Sequence, residues 1–394
     1  MEKLLLIGID TRSMLNSALK LDYTVYSTSY FSTSDTPSIK NQKIILNESY
    51  GESCGVFEEE FNPQTILDIS REFIDEVDYI IPISGISPND FSKKDQKKIL
   101  GNVDVNKIEN KYNFYKEIKN KFLTPKTFRL SDIDEAYEIQ KACPNNKFIL
   151  KPVQGSGGYN VNLLDNDKCI EFNEDEFIMQ EFVSGINVSS SILSTGTNAK
   201  TIISSRLLTE NDFEKNNSFR YIGNIVPLTK ESIMSDVENI DKILEEMKIT
   251  SESLAKKFRL LGSNGVDYIL NENGLYVIEI NPRIQGTFEC VEQSLGINML
   301  EAHINACRRK IIEVPEPKFY SYKKIVYSPN RNKYEKINLD NIYDLPHIGS
   351  ITEKSEPLLT IIDKNKDFKK LYEKVELSSK IVEKEVKRCQ LDNK

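Results

Sequence analysis

The hydrophobic period switches repeatedly along the first hundred residues. Lys3 to Ile9 (KLLLIGI) is a short apolar run, the signature of a strand covered on both faces. TRSMLNSALK then places Met14, Leu15, Ala18 and Leu19 at helical spacing, and YTVYSTS alternates like a strand. PQTILDISREFIDEV is helical again, and DYIIPIS is a strand bounded by Gly85. Strand–helix alternation predicts a parallel sheet with right-handed crossovers, in a first α/β unit spanning 1–105. VNKIENKYNFYKEIKNKF reads as helix up to the turn before Pro125. Ser131 with Asp134 resembles a capping box that starts the helix DIDEAYEIQKA. The strand KFILKP follows, then EFIMQEFV, NVSSSIL and KTIISSRLL. SIMSDVENIDKILEEMKITSESLAKKFRLLG carries long helical patterns, and VDYIL and LYVIEI are strands joined by the turn NENG. These pieces predict an α+β unit over 106–312. The remainder, 313–394, predicts a small α+β unit with strands KIVYSP and LLTIID and a charged helix from about Lys366 to Arg388.

Composition narrows the function classes. The chain has 394 residues, of which 39% are apolar, enough for ordinary cores. A net charge of -8 argues against a general nucleic-acid binder, which needs a basic face. The six cysteines are scattered, and no two stand at C-x-x-C spacing. His303 and His347 are the only histidines. A disulfide framework or zinc site is therefore not expected, and a reduced, cytoplasmic setting is. The apolar run at the start is short for a signal peptide, and nothing approaches the ~20 residues of a membrane span.

Two clusters carry chemistry. In FILKPVQGSGGYNV, Lys151 ends an apolar strand and GSGG (Gly155, Ser156, Gly157, Gly158) follows. Glycines let backbone N–H groups approach a ligand closely, and a lysine places a point charge beside oxyanions. A strand lysine beside a glycine loop suits a phosphate tail, although glycine clusters also make plain hairpin turns. The P-loop pattern is absent, and GIDTRS near the N-terminus lacks G-x-G-x-x-G. In the second cluster, GVDYILNENGLYVIEINPRIQGTFE, Glu279 and Asn281 share one face of a strand and a hairpin brings Asp267 alongside. Three hard oxygen ligands select magnesium. Arg283, two residues on, is placed to fork onto a phosphate or carboxylate. The bland alternative is an exposed polar hairpin, which the interleaved Ile278 and Ile280 argue against.

Together these clusters resemble the ATP-grasp superfamily, over roughly residues 1–310. The resemblance implies an ATP-grasp fold, in which two α+β subdomains of the 106–312 unit clamp ATP behind a pre-ATP-grasp domain. It implies that Lys151 and Lys111 hold phosphates, and that Gly155, Ser156, Gly157 and Gly158 form a lid. Gln180 or Glu181 by side chain, and Phe182 and Val183 by backbone, would read adenine. Asp267, Glu279 and Asn281 would hold Mg2+, with Mn2+ able to substitute, and Arg283 would stabilise the transferred phosphoryl group. There are departures. Asn187 stands where the family commonly has an acidic ribose contact, Asp267 replaces a longer glutamate, and Gly286–Thr287 replaces the base that biotin carboxylases place after NPRIQ. GIDTRSMLNSALKLDYTVYSTSYF, FRYIGNIVPL, NPRIQGTFE and DLPHIGSITEKSEPLLTII further resemble a branch of ATP-dependent carboligases of methanogenic archaea and methylotrophs.

The implied reaction joins a small-molecule carboxylate to an amine through an acyl phosphate, with Lys151 and Arg283 as the catalytic cations, in cofactor biosynthesis. The alternatives are a bicarbonate-dependent carboxylase and a non-catalytic ATP-binding regulator. No nucleic-acid or membrane partner is expected, and a homodimer is the superfamily guess. Arg12, Ser84 and Gly85 follow strand ends, where open α/β sheets bind ligands. For Arg12 a solvent-exposed helix start is the competing expectation. Arg220, Gln285 and Glu289 are further candidates, with a surface salt bridge the competing expectation for Glu289. His303 reads as a packed histidine.

Overall fold

The computed structural model describes residues 1–46, 51–52, 61–155, 157–158, 160–164, 177–213 and 218–391. Its first sheet runs in the order β3 (Gln42–Leu46), β2 (Thr24–Phe31), β1 (Lys3–Gly8), β4 (Tyr79–Pro82). Every pairing in it is parallel, as the alternation of strand and helix predicts. Leu4 and Leu6 pack on one face with Met14 and Leu15 of α1 (Arg12–Ala18). Leu5 and Ile7 pack on the other face with Ile66 of α2 (Pro63–Ile69) and with Phe73 and Ile74 of α3 (Arg71–Glu76). The single helix expected over these last two segments is divided at Ser70, whose hydroxyl donates to the Ile66 carbonyl at 2.6 Å. β3 is an additional strand, a short half-buried edge with too few residues to show a period. β2 and β4 lie on opposite sides of β1, so the loops after β1 and β4 open a crevice. The two loops are joined by Ile9 N–H donating to Ser84 O at 2.9 Å.

Two short helices follow, α4 (Asn106–Glu109) and α5 (Lys111–Ile118), where one run of helix is expected. The small second sheet has the order β5 (Thr127–Arg129), β8 (Phe177–Glu181), β6 (Phe148–Pro152), β7 (Asn162–Leu163). Phe148, Leu150 and Met179 face the covering helix α6 (Ile133–Ala142). That helix is capped one residue later than expected. The Asp132 side chain accepts Glu135 N–H at 2.9 Å, and the Glu135 carboxylate takes the Ser131 N–H and hydroxyl.

The third sheet is antiparallel and eight-stranded. It joins β9 (Ile186–Thr195), β10 (Ala199–Thr209), β11 (Tyr221–Val226), β12 (Leu261–Asn271) and β13 (Gly274–Asn281) to β14 (Tyr320–Tyr327), β16 (Ile342–Tyr343) and β18 (Pro357–Asn365). The order is β13-β12-β9-β10-β11-β14-β18-β16, so the C-terminal strands extend the central ladder through β11 and β14. β15 (Asn332–Lys333) and β17 (Ile351–Thr352) form a separate pair. Of the long helical pattern before β12, only α7 (Ile240–Lys257) is helix, capped by Asn239, and its Met247, Leu254 and Ala255 cover Val188, Val266, Tyr268 and Ile280. α8 (Phe288–Leu295) and α9 (Met299–Cys307) bury Val291, Leu295 and Leu300 against α1 and β1. α10 (Phe368–Arg388) lays Leu371, Val375, Val382 and Val386 on β14 and β18.

A buried charge cluster fastens these parts together. Arg12 is 2% exposed, so it is no solvent-facing helix start. Its Nη1 and Nη2 fork onto Glu289 at 2.7 and 3.1 Å, and its Nε meets Asp344 Oδ1 at 2.6 Å. Lys323 adds a third cation contact to Glu289 at 3.2 Å. One guanidinium thus ties the first sheet to α8 and to the C-terminal segment. Arg12→Ala strips Asp344 of its paired cation and leaves Glu289 with Lys323 alone, and is expected to cost about 3–5 kcal/mol in urea unfolding. Arg12→Lys recovers only part of this, because an ammonium cannot fork. A loss under 1 kcal/mol in the alanine variant contradicts the fastening role.

Candidate active site

Alternation along two hairpins decides what faces the cleft between the small sheet and the large one. Phe148 and Leu150 are committed to the core under α6, so Ile149 and Lys151 face the opposite way. The same rule turns Gln180 to the cleft while Met179 is buried. In the large sheet Val266, Tyr268 and Ile280 are held under α7, leaving Asp267, Glu279 and Asn281 on the open face. Asp267 stands directly opposite Glu279 in the β12–β13 register, and a bulge follows at Asp267/Tyr268. Bulges re-aim side chains beside functional sites.

The resulting cleft measures about 420 Å³. Lys111, Lys151, Gly155, Gly157 and Gly158 line its upper wall. Gln180, Glu181, Phe182, Val183 and Asn187 line one end, and Asp267, Glu279, Asn281 and Arg283 line the floor. Every candidate from the two sequence clusters is therefore brought to one cavity, except Ser156, which lies outside the described residues.

The two lysines differ in setting. Lys111 opens α5, where Asn110 caps the helix by accepting Asn113 N–H at 2.9 Å. Its backbone N–H donates to Val153 O at 3.0 Å and its ammonium to Gly155 O at 2.8 Å. Its Nζ lies 3.7 Å from Glu279 Oε2. Lys151 is 5% exposed, and its ammonium has no hydrogen-bond or ion-pair partner among the described residues. Burial, and then the nearby Lys111 charge, push its ammonium down to about 8. On the floor, Asp267 opens onto the cleft but is enclosed by protein on its other sides. Loss of water, and then Glu279, push its carboxyl up to about 7, against hydrogen bonds from Ser189 and Asn281. Asn281 Nδ2 donates to Asp267 Oδ2 at 2.8 Å, which turns the amide oxygen away to act as an acceptor. Arg283 is anchored by Glu109 at 3.4 Å.

The glycine loop is seated on a neighbouring segment. Gly157 and Gly158 have φ of 69° and 75°. A Cβ at Gly158 would lie 2.0 Å from Phe219 O, so only glycine permits this approach. Tyr221 N–H donates to Gly157 O at 3.1 Å, and the Phe182 and Phe219 rings meet edge-on at 5.9 Å. At that end Gln180 Nε2 donates to Thr127 Oγ1 at 2.8 Å. The Glu181 carboxylate accepts Asn146 Nδ2 at 2.8 Å and Lys126 N–H at 3.3 Å. The Phe182 N–H is engaged by Lys147 O at 2.8 Å.

Ser84, Gln285, Gly286 and Thr287 complete the other end of the cleft. Arg12 and Glu289 bind each other instead, and Arg220 is engaged by Glu210 and by Ser355 O. His303 is a packed histidine. Its Nδ1 accepts Ser263 N–H at 2.8 Å, its Nε2 meets Leu100 O at 3.1 Å, and burial holds it down to about 4. Sequence reading misses Ser189 and Ser191, which are buried in β9, where Ser189 stands opposite Asp267 and Ser191 opposite Gly265. Their signal is NVSSSIL itself, three serines within one strand.

Similarity to known proteins agrees with this geometry. Residues 108–287 match the model of the ATP-grasp domain. Over 374 residues the chain is 30% identical to the protein MJ0776 of Methanocaldococcus jannaschii, covering 92% of this chain and 88% of that one. This chain belongs to the ATP-grasp family. Tyramine–L-glutamate ligase of the same organism is 30% identical over 45% of this chain and 44% of its own length. N5-carboxyaminoimidazole ribonucleotide synthetase from Thermotoga maritima shares the fold at a TM-score of 0.68 and 16% identity, over 97% and 98% of the two chains. ATP-grasp enzymes use ATP and magnesium, and named relatives of this ATP-grasp chain form C–N bonds. Among the described residues no helix is long and apolar enough to cross a membrane.

The donor set fits magnesium. Asp267, Glu279 and the Asn281 oxygen are hard ligands. No cluster of three His, Cys, Asp or Glu side chains could hold a metal among the described residues. Two carboxylates and one amide oxygen leave positions for the water and phosphate oxygens that magnesium keeps.

Lys151 supplies a pH test of this strained arrangement. The folded protein gives up the Lys151 proton near pH 8, whereas an unfolded chain keeps it to about 10.4. At neutral pH the buried charge lowers stability, and stability recovers as pH rises from 8 to 10. Lys151→Met is therefore expected to exceed the parent by about 2–3 kcal/mol at pH 7 in urea unfolding, with the gap narrowing toward pH 10. Equal stabilities at pH 7 contradict an uncompensated lysine.

Proposed function

We propose that this ATP-grasp chain is a magnesium-dependent carboxylate–amine ligase working through an acyl phosphate. The observation that carries the reading is the division of charge in one cleft. Lys111 and Lys151 line one wall and Asp267 and Glu279 the floor opposite, with Arg283 beside them. Phosphate oxygens fit between these walls, and Asp267, Glu279 and Asn281 would hold the ion that offsets their charge. The relation to tyramine–L-glutamate ligase supports the C–N chemistry.

At the nucleotide end Gln180 is the side chain that reads adenine. Its Nε2 is already spent on Thr127, so Oε1 is left to accept from an exocyclic amino group, whereas Glu181 is occupied by Asn146 and Lys126. Phe182 serves through its ring, Val183 through its backbone, and Asn187 faces the ribose. A substrate carboxylate then attacks the γ-phosphorus of ATP, and ADP leaves. A neutral amine attacks the acyl carbon, phosphate departs, and the amine loses a proton as the amide forms. Lys151 and Arg283 neutralise the charge that builds on the transferred phosphoryl, and Lys111 orients the tail. Bound magnesium supplies Lewis-acid stabilisation from Asp267, Glu279 and Asn281. The loop Gly155–Gly158 excludes water from the acyl phosphate. The division into units 1–105, 106–312 and 313–394 is part of this proposal, the first unit placing Ser84 at the acceptor end.

The test is release of ADP and phosphate from Mg-ATP across a panel of amines and carboxylates. Release that needs both a carboxylate and an amine, and that falls at least 10³-fold in Glu279→Ala, is expected. Release needing bicarbonate alone overturns the ligase reading in favour of a carboxylase.

A further inference from the structure

The floor of the cleft contains a directed chain of hydrogen bonds that the proposed reaction does not use. Ser189 Oγ donates to Asp267 Oδ1 at 2.6 Å. Gln285 Nε2 donates to Ser189 Oγ at 3.1 Å and to Asp267 Oδ1 at 3.3 Å. Ser191 Oγ donates to Gln285 Oε1 at 3.4 Å. Thr287 Oγ1 lies 3.3 Å from Ser191 Oγ, and because Ser191 has given its proton to Gln285, Thr287 is the donor. Every donor in the chain Thr287, Ser191, Gln285, Ser189 therefore points toward the one carboxylate. Ser189, Ser191 and Thr287 are 0%, 4% and 3% exposed, so water does not compete for these bonds.

The backbone is shaped to admit this chain. A Cβ at Gly265 would lie 1.8 to 2.1 Å from the three outer atoms of the Gln285 amide. Gly265 sits opposite Asn281 on the strand that carries Asp267. Its φ is not in the left-handed region, so the need for glycine there is the space that Gln285 occupies.

We propose that Ser189 and Gln285 are positioning residues that set the rotamer of Asp267 for metal binding, with Gly265 providing the seat for the Gln285 amide. The assignment rests on the reading of Asp267 as a magnesium ligand. Two donors on Oδ1 and Asn281 on Oδ2 fix the carboxylate plane, leaving one lone pair, on Oδ2, for a metal. Gln285 is thereby committed to the floor instead of to substrate. Thr287, part of the departure from the biotin carboxylase pattern, begins the same chain at the acceptor end.

The test counts Mn2+ bound to the full-length protein with ADP, by the loss of the free Mn2+ electron-paramagnetic-resonance signal. Ser189→Ala and Gln285→Ala are expected to weaken Mn2+ about 10- to 100-fold each. Their affinity for ADP in EDTA and their thermal midpoints stay near the parent's, which a merely structural role does not predict. Gly265→Ala, which keeps every hydrogen-bonding group but displaces the amide, is expected to match Gln285→Ala. The Ser189→Ala/Gln285→Ala double variant is expected to lose less than the sum, as members of one network do. If Ser189→Ala does not fold, Gln285→Leu at the half-buried edge gives the same reading. Mn2+ affinity within twofold of the parent in both single variants overturns the proposal, and so does an equal loss of ADP affinity in EDTA. Asp267→Asn separates the two layers. Retained Mn2+ affinity there removes Asp267 from the ligand set, whereas its loss with unchanged Ser189→Ala and Gln285→Ala rejects only the positioning role.

Discussion

The cleft depends on one strand pairing, that of Asp267 with Glu279 across β12 and β13. Two carboxylates at neighbouring ladder positions repel each other, and nothing in the ladder neutralises them. Of the lysines above them, Lys111 approaches Glu279 only to 3.7 Å and the Lys151 ammonium has no partner among the described residues. Such a site holds its charges apart at a cost in stability. In the proposed reading, a polyphosphate with a divalent ion offsets that cost by filling the gap between the two signs. Perturbed groups such as Lys151 and Asp267 mark functional sites for this reason.

Elsewhere the chain spends its stability on holding that pairing in place. α7 presses Val266, Tyr268 and Ile280 from behind, which leaves their neighbours no choice of face. α8 and α9 fasten the first sheet to the large one, and Arg12 reinforces the joint with charge buried under α8 and beside Asp344. The C-terminal strands extend the same ladder beyond β11, and Arg220 reaches from the seat of the glycine loop to Ser355. The last segment is thus in mechanical contact with the loop that would close over phosphates.

The parallel first sheet was legible because KLLLIGI and DYIIPIS are buried on both faces, which leaves an unbroken apolar run. The site was legible because β-alternation alone sets Glu279 and Asn281 on one face, and a two-strand turn fixes Asp267 opposite. The division of the helix at Ser70 and the cap at Asp132 depend on which local hydroxyl or carboxylate reaches the backbone first, and several sequences of polar residues offer the same choice. Arg12 and Glu289 were illegible for a different reason. They are 277 residues apart and meet only because α8 packs on α1. Ser189 and Gln285 are hidden similarly, since their roles arise from a partner on another strand and from the empty side of Gly265.

The central claim is that phosphates and a divalent ion together complete this divided cleft. Calorimetric titration of ATP into the protein, in matched buffers with magnesium and with EDTA, tests it most directly. The account predicts one tight site per chain in magnesium and affinity at least 100-fold weaker in EDTA. Equal affinity in both buffers would contradict it, because the acidic floor would then play no part in holding the nucleotide.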